Sequence, residues 1–342
     1  MRIFVYEYVT GGGLLADPRP PRSLLREGAA MAATMAADFA ALPGTQVTVL
    51  RDARWPELTF AGCRVVPVAD AAAEREAFQR LAAEADETVV IAPEFDGILR
   101  ERCRLALACG GRVLGPDDAI IELASDKHRT AEHLRACGVA APSGMALEAG
   151  ERPPRSFAYP AVWKRRDGAG SLDVRLLLSA DEAELAEHLG VPSRLERCLP
   201  GLACSVAWLC GPNGCHPLPP CRQHLSEDGH FTYLGGASPL PPPLAARAVE
   251  LSRRAIQSLP RPRGYLGVDL ILGEDAEGRG DGVIEINPRL TTSYVGLRAV
   301  SRGNLAQAML DAASGRAPAL EFSSRRIEFS ADGTVRPEEP LL

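Results

Sequence analysis

The sequence predicts an α/β protein whose first third folds around a mostly parallel sheet, and three observations carry that prediction. Short apolar runs of strand length recur at residues 2–9, 46–50, 63–68, 88–92 and 111–114. Stretches of helical periodicity lie between them, notably 71–84 and 98–109, so strand and helix alternate as parallel strands require. The first run ends in Gly11, Gly12 and Gly13, and a strand leading through a glycine loop into a helix is the usual opening of a nucleotide-binding α/β unit. No G-x-G-x-x-G is present, and the stretch from Asp17 to Pro21 lengthens the loop.

The first helix begins near Ser23. Leu24, Gly28, Met31, Met35, Phe39 and Leu42 fall three or four residues apart and mark its buried face. Glu94 and Asp96 lie just past the 88–92 strand, where such sheets gather ligands, and are candidate substrate contacts with a solvated loop as the alternative. After Gly115-Pro116 the character changes. Ser125 or Asp126 caps a helix running to Cys137 and stopped by Gly138. Lys127 stands in its first turn, where the dipole disfavours a cation and an anionic partner would compensate.

The run 159–164 reads as a strand ending on Lys164, followed by RRDGAGS, residues 165–171. Gly168 and Gly170 let backbone N–H groups turn toward an anion, with Ser171 closing the loop. A hairpin with a solvated basic tip is the alternative. Strand 172–178 follows, and Ser179 with Glu182 forms a capping box for a short helix closing at Gly190. Residues 194–201 form a strand containing Glu196 with a Pro-Gly exit, 203–210 another, and 216–233 a polar hairpin region with Arg222, Gln223, His224 and Tyr233. His224 is the most plausible functional histidine, set against a solvated loop position.

A helix follows over 244–259. The strand 264–272 carries one acid, Asp269, in an apolar run, and a buried carboxylate without a partner costs several kcal/mol or is protonated. A neighbouring strand could supply Glu285. In residues 282–293, GVIEINPRLTTS, period-two alternation puts Glu285 and Asn287 on one face. Pro288 breaks the ladder, Arg289 adds a fixed charge, and Thr291, Thr292 and Ser293 add three hydroxyls. A carboxylate and an amide oxygen two residues apart suit Mg2+ holding a phosphate. An ordinary buried strand with Glu285 paired to Arg289 is the competing reading.

Composition narrows the classes. Hydrophobic residues make up 46% and charged residues 24% of 342, a globular balance, and the net charge of −6 argues against a dedicated nucleic-acid binder. No apolar run approaches a membrane span and no leader pattern opens the chain, so a cytoplasmic protein without a membrane partner is expected. Nine cysteines form no paired framework. Cys204, Cys210, Cys215 and Cys221, near His216 and His224, lack zinc-knuckle spacing and suit apolar strand positions better.

In chain order, Lys127, Lys164 with a glycine loop, Glu196, Asp269, and Glu285 with Asn287 and Arg289 form a set that resembles the ATP-grasp superfamily over about residues 115–300. The resemblance implies an ATP-grasp fold with a Rossmann-like pre-ATP-grasp domain at 1–115, a small lid subdomain at 116–192, a C-terminal subdomain with a metal site at 193–325, and a loose tail at 326–342. It implies ATP and Mg2+ as cofactors, two ions with Mn2+ able to substitute. Lys127 and Lys164 would hold the α- and β-phosphates, and the loop of Gly168, Gly170 and Ser171 would cover the β- and γ-phosphates. Glu196 to Leu199 would meet adenine, Asp269, Glu285 and Asn287 would hold Mg2+, and Arg289 would stabilise the transferring phosphoryl group. Leu202 and Ala203 stand where many relatives place a ribose-binding acid, so ribose binding is unassigned.

The opening VYEYVTGGG, YLGG at 233–236 and EINPRLTTSYVGLR at 285–298 are similar to the tyramine–L-glutamate ligases of methanofuran biosynthesis. That branch implies small-molecule carboxylate and amine partners. Glutamate would be activated as an acylphosphate and attacked by an amine, with Thr291, Thr292 and Ser293 near the acyl substrate and Gly11 and Gly12 on the far wall. A dipeptide- or polyglutamyl-forming ligase and a non-catalytic nucleotide-binding module are the alternatives, and a homodimer is compatible with the sequence.

Overall fold

The computed structural model describes residues 1–17, 21–168, 170, 172–187 and 189–337. Three sheets organise them. The first is parallel, in the order β3-β2-β1-β4, from β1 (Arg2–Glu7), β2 (Gln46–Asp52), β3 (Arg64–Val68) and β4 (Glu87–Ile91). Helix α1 (Arg22–Ala40) follows β1, α2 (Ala71–Glu84) precedes β4 and α3 (Ile98–Ala108) follows it. The periodic face of α1 is buried as its spacing requires, with Met31, Met35 and Phe39 packed on Val5 and Val49. Each such side chain removed from water contributes about 1.5–3 kcal/mol. Asp70 caps α2 by accepting from the Ala73 N–H at 2.8 Å. The run 111–114 does not form a full strand; it makes one parallel bridge, Thr88 to Val113.

Two helices, α4 (Asp118–Ala124) and α5 (Lys127–Ala136), lead into a small antiparallel sheet. It comprises β5 (Gly144–Leu147), β6 (Ala161–Arg165) and β7 (Arg175–Leu177), then, after α6 (Ala180–Leu185), β8 (Ser193–Arg197), in the order β5-β8-β6-β7. Asp126 is the cap of α5 and accepts from the His128 and Arg129 N–H groups. Ser179 caps α6, and Glu182 returns a bond to the Leu178 N–H, but the helix ends at Leu185, short of Gly190. Because β8 hydrogen-bonds to β5 and β6, the small unit runs past the expected boundary at residue 192.

The large sheet takes β9 (Leu202–Gly211), β10 (Gly214–Pro217), β11 (Cys221–Leu225), β12 (Tyr233–Ser238), then, after α7 (Pro242–Ser258), β13 (Gly264–Leu272) and β14 (Gly282–Asn287). Helices α8 (Ser293–Val300) and α9 (Leu305–Ala313) follow, and β15 (Ile327–Ser330) and β16 (Val335–Pro337) complete the order β14-β13-β9-β11-β12-β15-β16, with β10 on β9. The segment from 326 is therefore no loose tail as far as residue 337. Ile327 and Phe329 are buried in the shared core, because β12 would otherwise leave an apolar edge unpaired. One face of the sheet meets α7 through Val206, Trp208, Leu266 and Val268. The other meets the first unit through α1, α8 and α9, where Asp38 of α1 accepts from the Tyr294 hydroxyl at 2.7 Å and from Arg298. No helix among the described residues is long and apolar enough to cross a membrane.

Candidate active site

β13 and β14 run antiparallel with Asp269 directly opposite Glu285 and Gly267 opposite Asn287. Directly opposed residues of a ladder share a face, so both acids point the same way, and a bulge follows at the next pair, Leu270 opposite Val283. The Asp269 carboxylate accepts from Asn287 Nδ2 at 3.0 Å and from Gln223 Nε2, on β11, also at 3.0 Å. Burial, then the Glu285 charge, pushes Asp269 up to about 7. Burial would raise Glu285 as well, but Lys127, Lys164 and Arg289 outweigh it and hold that carboxyl below its usual range.

Lys127, first residue of α5, reaches Glu285 Oε2 at 2.8 Å and donates to the Gly168 carbonyl. Burial works against its charge, yet Glu285 keeps its pKa above the ordinary value. This contact answers the competing reading of the sequence: Glu285 takes Lys127 as its direct partner, and Arg289 pairs elsewhere. The same loop is pinned to the first unit, since the Asp96 N–H donates to Asp167 at 3.1 Å and Arg165 lies 5.7 Å from the Phe95 ring centre. Gly170 takes φ +63, a left-handed conformation suited to glycine; Ser171 lies outside the described residues.

Lys164, on β6, pairs with Glu196 across to β8 at 2.5 Å, and Arg194 holds the second carboxylate oxygen at 2.7 Å. Arg194 is fully buried and also bonds the Pro142 carbonyl and His128 Nδ1, each at 2.7 Å. Residues 198–201 then carry the chain from the small sheet to the large one. Leu199 packs where a Cβ on Gly282 would lie 2.5 Å away, and Gly201, at φ +147, presses on the Leu272 carbonyl. The lysines, the hinge and the acidic pair thus line one junction between two sheets.

Arg289 forms an ion pair with Glu94, Nε to Oε1 at 2.9 Å, across to the first unit. Thr291 shares hydroxyl contacts with Tyr265 at 3.1 Å and Ser293 at 2.9 Å, while Thr292 donates to Glu27 of α1 at 3.4 Å. Gly11 and Gly12 sit in a turn packed from behind by Tyr6, Val68 and Leu15, and their backbone bonds stay within that loop. Its tie to the site is Glu7, which accepts from Val9 N, Thr10 N and the Thr10 hydroxyl. Glu7, Glu27, Arg194 and Gln223 were not singled out as site residues by sequence. A glutamate ending a first strand and a helix glutamate next to Gly28 look ordinary until the fold brings them to Arg289. His224 alternates with Gln223 along β11 and so faces away from Asp269; its Nε2 is buried without a hydrogen bond.

Two carboxylates and an amide are hard oxygen donors, and Asp269 is short of positive charge. These residues fit Mg2+, which takes few protein ligands and completes its shell with phosphate oxygens and water. Asn287 presents its amide nitrogen to Asp269 here; a half-turn about its last bond presents the oxygen. Among the described residues, no group of three or more His, Cys, Asp or Glu side chains is set to hold a metal, and Cys204, Cys210 and Cys221 are buried free thiols.

Comparison with known proteins covers most of the chain. A family model described as an ATP-grasp domain matches residues 124–293, and one described as a pre ATP-grasp 3 domain matches residues 45–121. The chain is similar to the tyramine–L-glutamate ligase of Methanocaldococcus jannaschii, 24% identical over 336 residues that span 96% of this chain and 94% of that protein. In fold it is similar to an ATP-grasp superfamily protein from Archaeoglobus fulgidus, with TM-score 0.71, 21% identity, and 96% and 92% of the two chains covered. It also matches an L-amino acid ligase from Bacillus licheniformis, with TM-score 0.70, 16% identity, and coverage of 96% and 78%.

Proposed function

We propose, from the premise that this chain belongs to the ATP-grasp superfamily and is an ATP-dependent carbon–nitrogen ligase, that it activates the γ-carboxylate of L-glutamate and joins it to tyramine or a closely related amine. The observation that carries the reading is the facing pair Asp269 and Glu285, with Lys127 on Glu285 and Arg289 beside it, on the same face as a run of hydroxyls. The near full-length similarity to a tyramine–L-glutamate ligase supports the choice of substrates.

Lys127 and Lys164 bind the α- and β-phosphates, exchanging the carboxylates they now hold for phosphate oxygens as the nucleotide enters. Asp269, Glu285 and Asn287 would hold Mg2+, which would supply neutralisation of phosphate charge there. The backbone of residues 196–199 receives adenine, and the loop with Gly168 and Gly170 covers the phosphates. Arg289, kept in place by Glu94, orients the glutamate carboxylate and compensates the charge that develops as it takes the γ-phosphoryl group. The amine then attacks the carbonyl carbon. A C–N bond forms, the C–O bond to phosphate breaks, phosphate leaves with the electron pair, and the proton shed by the amine nitrogen goes to the departing phosphate. Positioning and charge neutralisation supply this catalysis, so it requires no Ser/His/Asp constellation. A cytoplasmic location is part of the same proposal.

The test is an incubation with ATP, Mg2+, L-glutamate and a panel of amines, with ADP measured and products weighed by mass spectrometry. Glutamyl-tyramine with ADP and phosphate is expected. AMP and pyrophosphate would contradict the acylphosphate route, and ADP release with a second amino acid as the productive nucleophile would favour a dipeptide-forming ligase.

A further inference from the structure

Arg194, on β8, stands behind the lysines, and none of the assignments above gives it a role. It is fully buried, and each of its three side-chain nitrogens has a partner: Nε donates to Glu196 Oε2, Nη1 to His128 Nδ1 and Nη2 to the Pro142 carbonyl, each at 2.7 Å. The room for it is built in. A Cβ on Gly144 of β5 would lie 2.9 Å from Nη2 and 3.0 Å from Cζ, so the guanidinium fills space that a glycine leaves open. A guanidinium keeps its proton and only donates. Its bond to His128 Nδ1 therefore fixes that ring as the neutral tautomer with its proton on Nε2. Burial and the Arg194 charge hold His128 below its ordinary pKa, in keeping with a neutral ring. His128 follows Lys127 in the first turn of α5, so the bond ties the helix start that carries one lysine to the strand that carries Glu196.

The buried charges do not balance. Lys164, Arg194 and Glu196 lie together, two cations on one carboxylate, with the Lys164 ammonium on Oε1 at 2.5 Å. That ammonium has no second partner among the described residues, whereas Arg194 is held at three points. Lys164 is therefore the cation free to leave. When it turns to a phosphate, a matched pair of Arg194 and Glu196 stays behind. Without Arg194 the same movement would strand a buried carboxylate, which is strongly unfavourable.

We propose that Arg194 is a positioning residue of the nucleotide site: it keeps the Glu196 carboxylate paired so that the Lys164 ammonium can move to the phosphates, and through His128 it holds the start of α5 that carries Lys127. This rests on the assignment of both lysines to the phosphates and adds what lets the buried one leave its carboxylate. Arg194 acts through Glu196 and His128, and no covalent bond to it forms or breaks.

The experiment uses the full chain and measures its affinity for ATP with Mg2+ by equilibrium titration, without glutamate or amine so that nothing turns over. Arg194→Met, which keeps much of the side-chain volume and removes the charge, is expected to weaken ATP binding about tenfold or more, the loss of a charge-assisted hydrogen bond. Adding Glu196→Gln removes the carboxylate that would be stranded. The double variant should therefore bind ATP at least about fivefold more tightly than Arg194→Met alone, a recovery that a purely structural role for Arg194 does not produce. His128→Leu deletes the acceptor and should weaken binding about fivefold or more. His128→Asn, whose amide oxygen can stand in for Nδ1, should recover most of that loss. The proposal is overturned if Arg194→Met binds ATP as the wild type does, if the double variant gains nothing over Arg194→Met, or if the two His128 variants bind alike; the His128 comparison decides it should Arg194→Met fail to fold. A wild-type chain that binds no ATP, or a Lys164→Ala chain that binds it with wild-type affinity, would bring down the phosphate assignment, and this role with it.

Discussion

Lys164, at the end of a strand before a glycine loop, and Lys127, in the first turn of a helix, are assigned the same partner by sequence, the nucleotide phosphates, but their surroundings differ. Lys164 is 4% exposed and shares Glu196 with Arg194, whereas Lys127 meets Glu285 at the open junction. Lys164→Ala should therefore lower stability by about 1–3 kcal/mol through the weakened buried triad, as well as nucleotide affinity. Lys127→Ala should lower chiefly nucleotide affinity. Urea melts beside nucleotide titrations separate the two, and equal stability losses would show that the triad has no special weight. Glu285→Gln should cut ADP release by at least about a hundredfold, as loss of a charge-stabilising group does, with the urea midpoint little changed. Turnover at the wild-type rate would remove Glu285 from the metal site. The sequence exposed these residues because a lone acid in an apolar strand demands a partner. It hid Arg194 and Gln223, because a polar residue on a strand carries no sign of which distant group it will meet.

At the level of elements, helices with a three-four apolar repeat and a capping residue were legible almost to the residue, as Asp126 and α5 show. Short strands were less so: 172–178 reads as seven residues and forms only Arg175–Leu177, since its remaining residues find no ladder. The C-terminal strands were missed because β15 is four residues in a polar stretch, and only the open edge of β12 gives it a reason to pair. Phe329 shows what that pairing is worth. Its ring occupies the space beside Gly296 and Gly236, where added Cβ atoms would come within 2.2 and 2.8 Å. Phe329→Ala should cost about 3–5 kcal/mol. Gly296→Ala should also destabilise the wild-type protein but much less in the Phe329→Ala background. Additive losses in a double-mutant cycle would contradict that contact.

Across the whole molecule, three sheets meet where the candidate site residues converge. The small sheet brings Lys164, α5 brings Lys127, the large sheet brings Asp269 and Glu285, the segment after β14 brings Arg289, and the first unit brings Glu94. The parallel first sheet was legible from the alternation of apolar runs and helices. The meeting of the units was not, because it depends on contacts such as Asp38 with Tyr294 and Arg298, separated by more than 250 residues. The central claim is that the carboxylate becomes an acylphosphate at this junction, and isotope transfer tests it most directly. With L-glutamate carrying 18O in its γ-carboxylate, ATP, Mg2+ and tyramine, the released inorganic phosphate should carry one 18O per turnover, seen by mass spectrometry or 31P NMR. Label appearing in AMP, or phosphate free of 18O while the amide accumulates, would contradict it.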